Sequence, residues 1–383
     1  MKQIRFRRPR ILLVAILLPA LALFGVLLLT GPKEGPAAKD HEFASPAEGQ
    51  TAQRILDSMT LEEKVGQMFL VRCRKYTAVS DIETYAPGGY ILFAPDIRDH
   101  TITTLKSRLD SYQKASEVKL LIGVDEEGGN VVRISKYPEF RSEPFRSPQS
   151  LFAEGGYPLI AEDAKEKAAL LKSLGINLNL APVCDISTNP SDFIHERTFG
   201  KSAVETAEYV KTVVEAAQGS GLGCTLKHFP GYGGNDDTHK GSAVDERSYE
   251  SFLRSDFIPF QAGIEAGAGS VMVSHNTVVS MDETLPASLS PRVHEILRNE
   301  LSFTGVIMTD DLRMDAIKDF TGDEASVVMA IKAGNDLLIA SDFDIQIPAV
   351  IAAVKDGTIS EKRIDESVMR ILAWKASLGL LEN

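Results

Sequence analysis

The chain is poor in cysteine, with three in 383 residues. Cys73, Cys184 and Cys224 each lie inside an apolar stretch typical of a buried strand, which indicates free buried thiols and excludes a disulfide framework or a cysteine-based zinc site. The sequence also lacks the H-x-H and H-E-x-x-H pairs that begin many metal sites. We therefore expect neither a metal nor another cofactor.

Basic charge is also scarce. The formal net charge is -12, and no basic stripe occurs outside the extreme N-terminus. Such a balance repels phosphate backbones, so we expect no nucleic-acid partner. The length and the 44% hydrophobic content instead indicate a globular protein with a well-buried core.

An uncharged run from Ile11 to Leu29 follows five Lys and Arg residues at the start of the chain. As a helix, this run is long enough to cross a bilayer, and the basic residues favour retention of its first end in the cytoplasm. A cleaved signal peptide is the alternative, although the run ends without a clear cleavage site or a lipobox cysteine.

These features predict the division of the chain. We expect a signal or anchor helix in residues 1–30 and a flexible linker rich in Pro, Gly, Ala and charged residues in 31–50. A globular domain is predicted for residues 51–383, and the motifs described below indicate that it is catalytic. The expected location is extracytoplasmic, with the N-terminal helix in the membrane, or secreted if that helix is cleaved.

Eight short apolar runs recur after the linker, and segments with helical periodicity separate most of them. Near-continuous apolar strands are typical of parallel sheets that are buried on both faces, so the pattern predicts an α/β fold with a single (β/α)8 TIM-type barrel. An open doubly wound sheet is the alternative. The runs are residues 65–71, 89–93, 119–124, 176–182, 221–227, 270–274, 305–309 and 336–340.

Polar side chains stand at the C-terminal ends of five runs, where barrel enzymes carry their active sites. They are Asp125, Asp185, His228, His275 and Asp310. This placement favours the barrel over the open sheet. We interpret His275 as a buried rim residue and Asp185 as a residue that holds the mouth of the barrel together.

The stretch "GVIMTDDLRMDA" ends an apolar run with two carboxylates. We expect Asp310, nearer the strand, to lie in the barrel mouth, where a carboxylate can attack an electrophilic carbon and form an ester. Asp311 is interpreted as the N-cap of the following helix.

The stretch "KHFPGYGGNDDTHK", residues 227–240, is too polar for core and too rich in glycine for helix. Its glycines allow positive φ and movement of the backbone. Asp237 lies two residues before His239, and a carboxylate in that place can orient an imidazole that serves as general acid and then as base. The spacing alone is weak support for catalysis.

Together these stretches resemble glycoside hydrolase family 3, in particular its single-domain bacterial β-N-acetylglucosaminidase (β-N-acetylhexosaminidase) branch. "KHFPGYGGNDDTH" is similar to the family signature K-H-F-P-G-x-G...D-[ST]-H. Further similar segments span residues 55 to 380 in the family's order: "MTLEEKVGQMF", "IGVDEEGG", "LNLAPVCDI", "ERTFG", "GVIMTDDLRMDA" and "RIDESVMRILAWKASLGL".

The resemblance implies a retaining, exo-acting enzyme that releases terminal β-linked N-acetylglucosamine. Together with the expected extracytoplasmic location, it predicts cell-wall peptidoglycan fragments as the source. It implies that Asp310 is the nucleophile, that His239 is the acid/base and that Asp237 is its partner. The positions similar to those that bind the sugar are Asp125, Arg133, Arg197, Lys227 and His228. A structural ion pair between Lys227 and Asp125, and an Arg197 that braces a loop, are the alternatives from the residues themselves.

Three departures from the family pattern stand in the motifs. Asn130 occupies a position that is often arginine, and Tyr232 stands where many relatives have a second histidine. The loop between Gly233 and Asp237 is one residue shorter than in the commonest version. Asp236 is therefore a rival to Asp237 as the partner of His239.

Other functions remain as alternatives. Within the family they are a β-glucosidase, a β-xylosidase or a glycoside phosphorylase that uses phosphate in place of water. A non-catalytic sugar-binding protein is a further alternative. A metal-dependent hydrolase would have to use Asp237, Asp310, His228 and His239 as ligands. The sequence does not indicate an oligomeric state.

Overall fold

The computed structural model describes residues 45–235, 243–318, 320–321 and 323–381. The predicted anchor in residues 1–30 and most of the linker lie outside these ranges, as do Asp237 and His239. Within them, no helix has the length and the apolar character needed to cross a bilayer. The first described helix begins at Pro46, inside the segment predicted as linker, where Ser45 and Glu48 form a capping box.

Eight parallel strands form a nearly closed barrel, in the order β10-β1-β2-β3-β4-β5-β7-β9. Met308 and Leu337 make an isolated parallel bridge that joins the two ends of this series. A separate short sheet consists of β6 and β8. The strands are β1 Phe69–Arg72, β2 Gly89–Ile91, β3 Leu121–Val124, β4 Leu178–Asn179, β5 Gly223–Phe229, β6 Val244–Asp245, β7 Ser270–Val273, β8 Thr277–Val278, β9 Val306–Thr309 and β10 Leu338–Ala340.

The predicted (β/α)8 barrel is confirmed, and each of the eight apolar runs overlaps one barrel strand, although β1 and β5 continue past the ends of their runs. The first run differs at its start, because residues 65–67 belong to a helix. Thr60 and Glu63 form a capping box that begins this helix, and it continues to Gln67 before β1 starts. The small parallel sheet of β6 and β8 was not predicted.

Helices follow the barrel strands and cover the outside of the barrel. They are α1 Pro46–Ser58, α2 Leu61–Gln67, α3 Ala78–Tyr85, α4 Ala94–Ile97, α5 Ile102–Ala115, α6 Pro148–Ser173, α7 Ala203–Gly219, α8 Tyr249–Arg254, α9 Phe257–Glu265, α10 Pro291–Glu295, α11 Asp315–Lys318, α12 Asp323–Ala333, α13 Phe343–Lys355 and α14 Glu361–Ser377.

The aromatic packing behind β5 fixes the end of that strand. Phe229, its last residue, is fully buried, and its ring stacks on Phe257 with a centroid separation of 5.5 Å. Phe260 approaches the same ring edge-on at 5.2 Å. Because large buried rings contribute strongly to core stability, this contact holds the neighbouring polar residues of β5 in a defined position.

The three cysteines are free and buried, as the sequence indicates. Burial raises the pKa of the Cys73 and Cys224 thiols to about 12. A protonated thiol is a poor nucleophile and a poor metal ligand. These residues therefore serve as small core side chains.

One charged side chain lies deep in the structure away from the barrel mouth. Lys375 of α14 is fully buried, and its Nζ donates a hydrogen bond to Oε1 of Gln67 at 2.6 Å. Burial lowers the pKa of this lysine to about 7. The folded state must bury a cation below that pH, which opposes folding.

We expect Lys375→Met to stabilise the protein more at low pH than at high pH. The native pKa lies below the unfolded one, so the wild-type fold loses stability as the pH falls from about 10 to about 7. The advantage of the variant should grow by about 2 to 3 kcal/mol between roughly pH 9 and roughly pH 6.5, measured by denaturant unfolding.

The matched control is Lys355→Met, because Lys355 is a residue of α13 whose side chain is 60% exposed. Its effect on the free energy of unfolding should change little over this range. An equal advantage of Lys375→Met at both pH values would contradict the buried-cation account.

Candidate active site

The predicted polar residues lie at one end of the barrel. Asp125 directly follows β3, and Asp310 directly follows β9. Lys227 and His228 are the fifth and sixth residues of β5, so His228 lies within the strand and not after it as the sequence suggested. Because the strands are parallel, their C-terminal ends share one rim, where the active sites of such barrels lie.

Charged side chains of three segments meet at this rim around Glu127. Its Oε1 lies 2.6 Å from Nζ of Lys227 and 2.8 Å from Nη2 of Arg197, and its Oε2 accepts a 3.0 Å hydrogen bond from Nε of Arg197. Nζ of Lys227 also donates to Oδ1 of Asp125 at 2.7 Å. We call Asp125, Glu127, Arg197, Lys227 and His228 the rim cluster.

The charges of the rim cluster stabilise one another in a buried place. Burial would raise the pKa of the Glu127 carboxyl, but Lys227 and Arg197 outweigh it and hold that pKa well below its usual value. Burial opposes the charge of Lys227 too, yet Asp125 and Glu127 raise its pKa. The two groups are therefore ionised together at neutral pH.

His228 belongs to the rim cluster through both ring nitrogens. Its Nδ1 lies 2.7 Å from Oδ2 of Asp185, and its Nε2 lies 3.2 Å from Nη2 of Arg197. A guanidinium can only donate and a carboxylate only accept, so these contacts assign a neutral ring with its proton on Nδ1. Oδ1 of Asp185 also accepts from the amide of Tyr232 at 2.7 Å, which agrees with its expected role in holding the mouth together.

Arg133 reaches the same place from the loop after β3. Its Nη2 lies 3.6 Å from Oδ2 of Asp125. The fully buried carboxylate of Glu126 accepts hydrogen bonds from the amides of Arg133, Ile134 and Ser135 at 2.7 to 3.1 Å, which fixes this loop. The residues that the family resemblance implies for sugar binding therefore lie close together. Their role in binding stays a prediction.

Asp310 is held at the end of β9. Its amide donates to the carbonyl of Val273 in β7 at 3.1 Å, and its Oδ1 accepts from the amide of Asp311 at 2.8 Å. The residue is partly exposed. This position is the barrel mouth that the sequence predicts for it.

Asp311 does not cap a helix as interpreted from the sequence. Its Oδ1 accepts from the amide of Arg313 at 3.0 Å, and its Oδ2 accepts from Oγ of Ser341 at 2.8 Å. The next helix begins only at Asp315, so the carboxylate stabilises a turn and the neighbouring β10 loop. Burial raises its pKa.

His275 is buried, as expected. Nδ1 lies 2.7 Å from Oγ of Ser288, and Nε2 lies 3.1 Å from the carbonyl oxygen of Asp311. Both ring nitrogens thus contact neighbours that fix the loops behind Asp310.

Asn130 and Tyr232, the two described residues that depart from the family pattern, both contact neighbouring side chains. Asn130 is exposed, and its Nδ2 donates to Oε2 of Glu196, next to Arg197. Tyr232 is buried and approaches the ring of His228 edge-on, with centroids 5.2 Å apart. Tyr232 therefore supports His228 by packing.

The structure adds one residue that the sequence analysis missed. Glu127 contacts both Lys227 and Arg197, although neither the motif nor the resemblance singled it out. The signal in the sequence was that Glu127 is the third acidic residue of "VDEEGG", two positions after the predicted Asp125. Asp237 and His239, and the rival Asp236, lie outside the described residues, so their roles stay predictions.

In the ranges that the structure describes, no group of three His, Cys, Asp or Glu side chains is placed to hold a metal ion. The rim cluster instead alternates acidic and basic groups, an arrangement suited to hydrogen bonds with neutral hydroxyl groups.

Comparisons with known proteins agree with this geometry. The profile of the glycosyl hydrolase family 3 N terminal domain matches residues 60–374. A beta-N-acetylglucosaminidase/beta-glucosidase of Cellulomonas fimi is 30% identical over 339 residues, which cover 85% of this chain and 59% of that protein. A beta-hexosaminidase of Stenotrophomonas maltophilia is 33% identical over 262 residues, 66% of this chain and 76% of that protein.

A solved structure shares the fold. The family 3 beta-N-acetylglucosaminidase from Paenibacillus sp. superposes with a TM-score of 0.80 at 32% identity, over 84% of this chain and 63% of that one. The chain thus spans about three fifths of the Cellulomonas and Paenibacillus proteins.

We expect Lys227→Met to destabilise the protein strongly. The change leaves the partly exposed Asp125 and the buried Glu127 with one cation fewer, and loss of one partner of a buried ion pair costs about 3–5 kcal/mol. The control is Lys211→Met, whose ammonium lies 4.0 Å from Glu215 with both side chains at least half exposed. That pair should contribute less than about 1 kcal/mol. Equal free energies of unfolding for the two variants would refute the proposed electrostatics of the rim cluster.

Proposed function

The chain belongs to glycosyl hydrolase family 3, and from that premise we propose that it is a retaining, exo-acting β-N-acetylglucosaminidase. It releases terminal β-linked N-acetylglucosamine from a glycoside. The observation that carries the proposal is the position of Asp310 on the same barrel rim as the rim cluster. The names of the relatives from Cellulomonas, Stenotrophomonas and Paenibacillus support the choice of sugar.

The rim cluster offers donors and acceptors for neighbouring sugar hydroxyls. The side chains of Asp125, Arg133 and Arg197 are 16 to 25% exposed, so a ligand in the mouth can reach them. Lys227 uses two of its three ammonium protons for Asp125 and Glu127, and the third can bind a hydroxyl. Charged groups held in this way make strong, oriented hydrogen bonds.

Asp310 attacks the anomeric carbon in the first step of the proposed mechanism. The glycosidic bond breaks as His239 gives its proton to the leaving oxygen, and an ester forms between the sugar and Asp310. In the second step, neutral His239 takes a proton from water, the water oxygen attacks the anomeric carbon, and the ester bond breaks. The two inversions give retention. Asp237 orients His239 and stabilises its charged form.

Activity on β-glucosides is the second candidate. The Cellulomonas fimi relative is named for both activities, and this chain matches 59% of its length. The rim cluster contacts proposed here involve hydroxyls that glucose and N-acetylglucosamine share. Discrimination between the two sugars then depends on contacts with the acetamido group.

We also propose that the enzyme acts outside the cytoplasm on peptidoglycan fragments. The support is the uncharged run from Ile11 to Leu29 behind five basic residues, together with the occurrence of β-linked N-acetylglucosamine in the cell wall.

The full-length protein should sediment with membranes and stay there in high salt. Recovery of all activity in the soluble cytoplasmic fraction would contradict this location.

We expect the purified enzyme to hydrolyse aryl β-N-acetylglucosaminide faster than the β-glucoside or the β-xyloside. NMR of the first-formed sugar should show the β anomer, because two inversions restore the starting configuration. Asp310→Ala should remove nearly all turnover, while Asp311→Ala, which changes a turn, should keep far more. Release of the α anomer, or full activity of Asp310→Ala, would refute the assigned nucleophile.

A further inference from the structure

An ionic cluster with two buried carboxylates joins the two chain segments on either side of residues 236–242. Arg247 lies between the carboxylates of Asp245 and Asp256, both of which are 1% exposed. We call these three residues the Arg247 cluster. It lies outside the rim cluster, and neither the family motifs nor the sequence analysis drew attention to it.

A single guanidinium makes all of the cluster's main contacts. Nε and Nη2 of Arg247 donate to Asp245 at 2.7 to 3.0 Å, and Nη1 donates to both oxygens of Asp256 at 3.0 Å. Nη2 also donates to the carbonyl oxygen of Gly231 at 3.1 Å. Arg247 therefore connects the segment before residues 236–242, at Gly231, with the segment after them, at Asp245. It also connects both segments with Asp256, which precedes α9.

Asn235 makes a second, direct tie between the same two segments. Its Nδ2 donates to Oδ2 of Asp245 and to the carbonyl oxygen of Tyr232, both at 2.7 Å. The amide of Tyr232 in turn donates to Asp185, whose other oxygen holds the ring of His228. The Arg247 cluster is therefore connected to the rim cluster through Asp185.

The glycines of "HFPGYGG" fit tightly against the Arg247 cluster. Gly231 has φ 121°, and a Cβ there would lie 2.3 Å from Oδ1 of Asp256. Gly233 has φ 57°, and a Cβ there would lie 2.6 Å from Cζ of Arg247. Both take positive φ as the sequence suggested, but close approach of the ionic cluster is a further reason for glycine at these positions.

The arrangement carries a cost in folding free energy, because it buries charged carboxylates. Burial raises the pKa of Asp256 to about 6, Asp185 and Asp245 add to the rise, and Arg247 opposes it. Apolar residues of similar volume often stabilise a fold as well as a buried ion pair does. An ionic network fixes the directions as well as the distances between its groups. It is therefore suited to holding chain segments in one defined geometry.

We propose that Arg247 is a positioning residue for the acid/base step. It fixes the separation and direction of residues 231–235 and 243–247, and so the place from which Asp237 and His239 serve the anomeric centre. This inference rests on the proposed function, because it takes the acid/base pair to be Asp237 and His239, which the sequence places between these segments.

The test compares Arg247→Met with His239→Ala on two β-N-acetylglucosaminides, one with a poor leaving group and one with an activated aryl group. A proton donor matters most for the poor leaving group, where His239→Ala should lower kcat by roughly 10²- to 10⁴-fold. Arg247→Met should lower it by on the order of 10- to 100-fold. Both variants should affect the activated substrate much less, and KM should change little.

Two further variants guard against simple misfolding. Arg247→Lys keeps the charge but cannot bond both carboxylates as a planar fork, so it should recover only part of the lost kcat. Asn235→Ala removes the direct tie and leaves Arg247 in place, and it should show the same leaving-group pattern more weakly. The control is Arg254→Met, because Arg254 is exposed on α8 and forms an ion pair with exposed Glu250; it should change neither substrate's rate.

The outcomes separate the two hypotheses. If His239→Ala shows the leaving-group pattern and neither Arg247→Met nor Asn235→Ala does, the positioning role is wrong and the acid/base assignment stands. If both Arg247→Met and Asn235→Ala slow the two substrates equally, or lower only the melting temperature, the positioning role is also wrong. If His239→Ala itself shows no leaving-group pattern, the acid/base assignment and the positioning role fail together.

Discussion

The buried carboxylate of Glu127 is the contact on which the rest of the site depends. It holds the ammonium of Lys227 and the guanidinium of Arg197 from segments that lie 70 to 100 positions away in the chain. Without this anion two cations would face each other in a place with little water. With it, Asp125 and His228 are fixed beside cations, and a neutral sugar meets a set of oriented donors and acceptors.

The same arrangement of charges occurs in both ionic clusters. In the rim cluster a buried acid lies between two bases, and in the Arg247 cluster a partly exposed base lies between two buried acids. Asp185 connects them, because one of its oxygens holds His228 and the other holds the amide of Tyr232. The proposed sugar site and the segments that flank the proposed acid/base pair therefore share one hydrogen-bonded framework.

Much of the fold followed from local pattern. The eight apolar runs gave eight barrel strands, and polar residues at their ends gave the rim, because parallel strands place their C-terminal ends together. The start of the first run was misjudged, although the capping pattern of Thr60 and Glu63 was present in the sequence. A short apolar helix and a buried strand are hard to tell apart by periodicity alone.

The contacts of the site were harder to predict than the residues that make them. The choice of Asp125, Lys227 and Arg197 came from a family resemblance, whereas the role of Glu127 requires a three-dimensional meeting of distant segments. Likewise, Asp245-x-Arg247 is an ordinary charged pair in sequence. Only the fold shows that Asp256 and the carbonyl oxygen of Gly231 complete its contacts.

The most direct test of the account is a crystal structure of the protein with a 2-fluoro sugar trapped as the glycosyl-enzyme. We predict an ester bond to Asp310, sugar hydroxyls within hydrogen-bond distance of Asp125 and Arg197, and Glu127 still bound to Lys227. An ester on another residue, or a sugar that does not contact the rim cluster, would contradict the account.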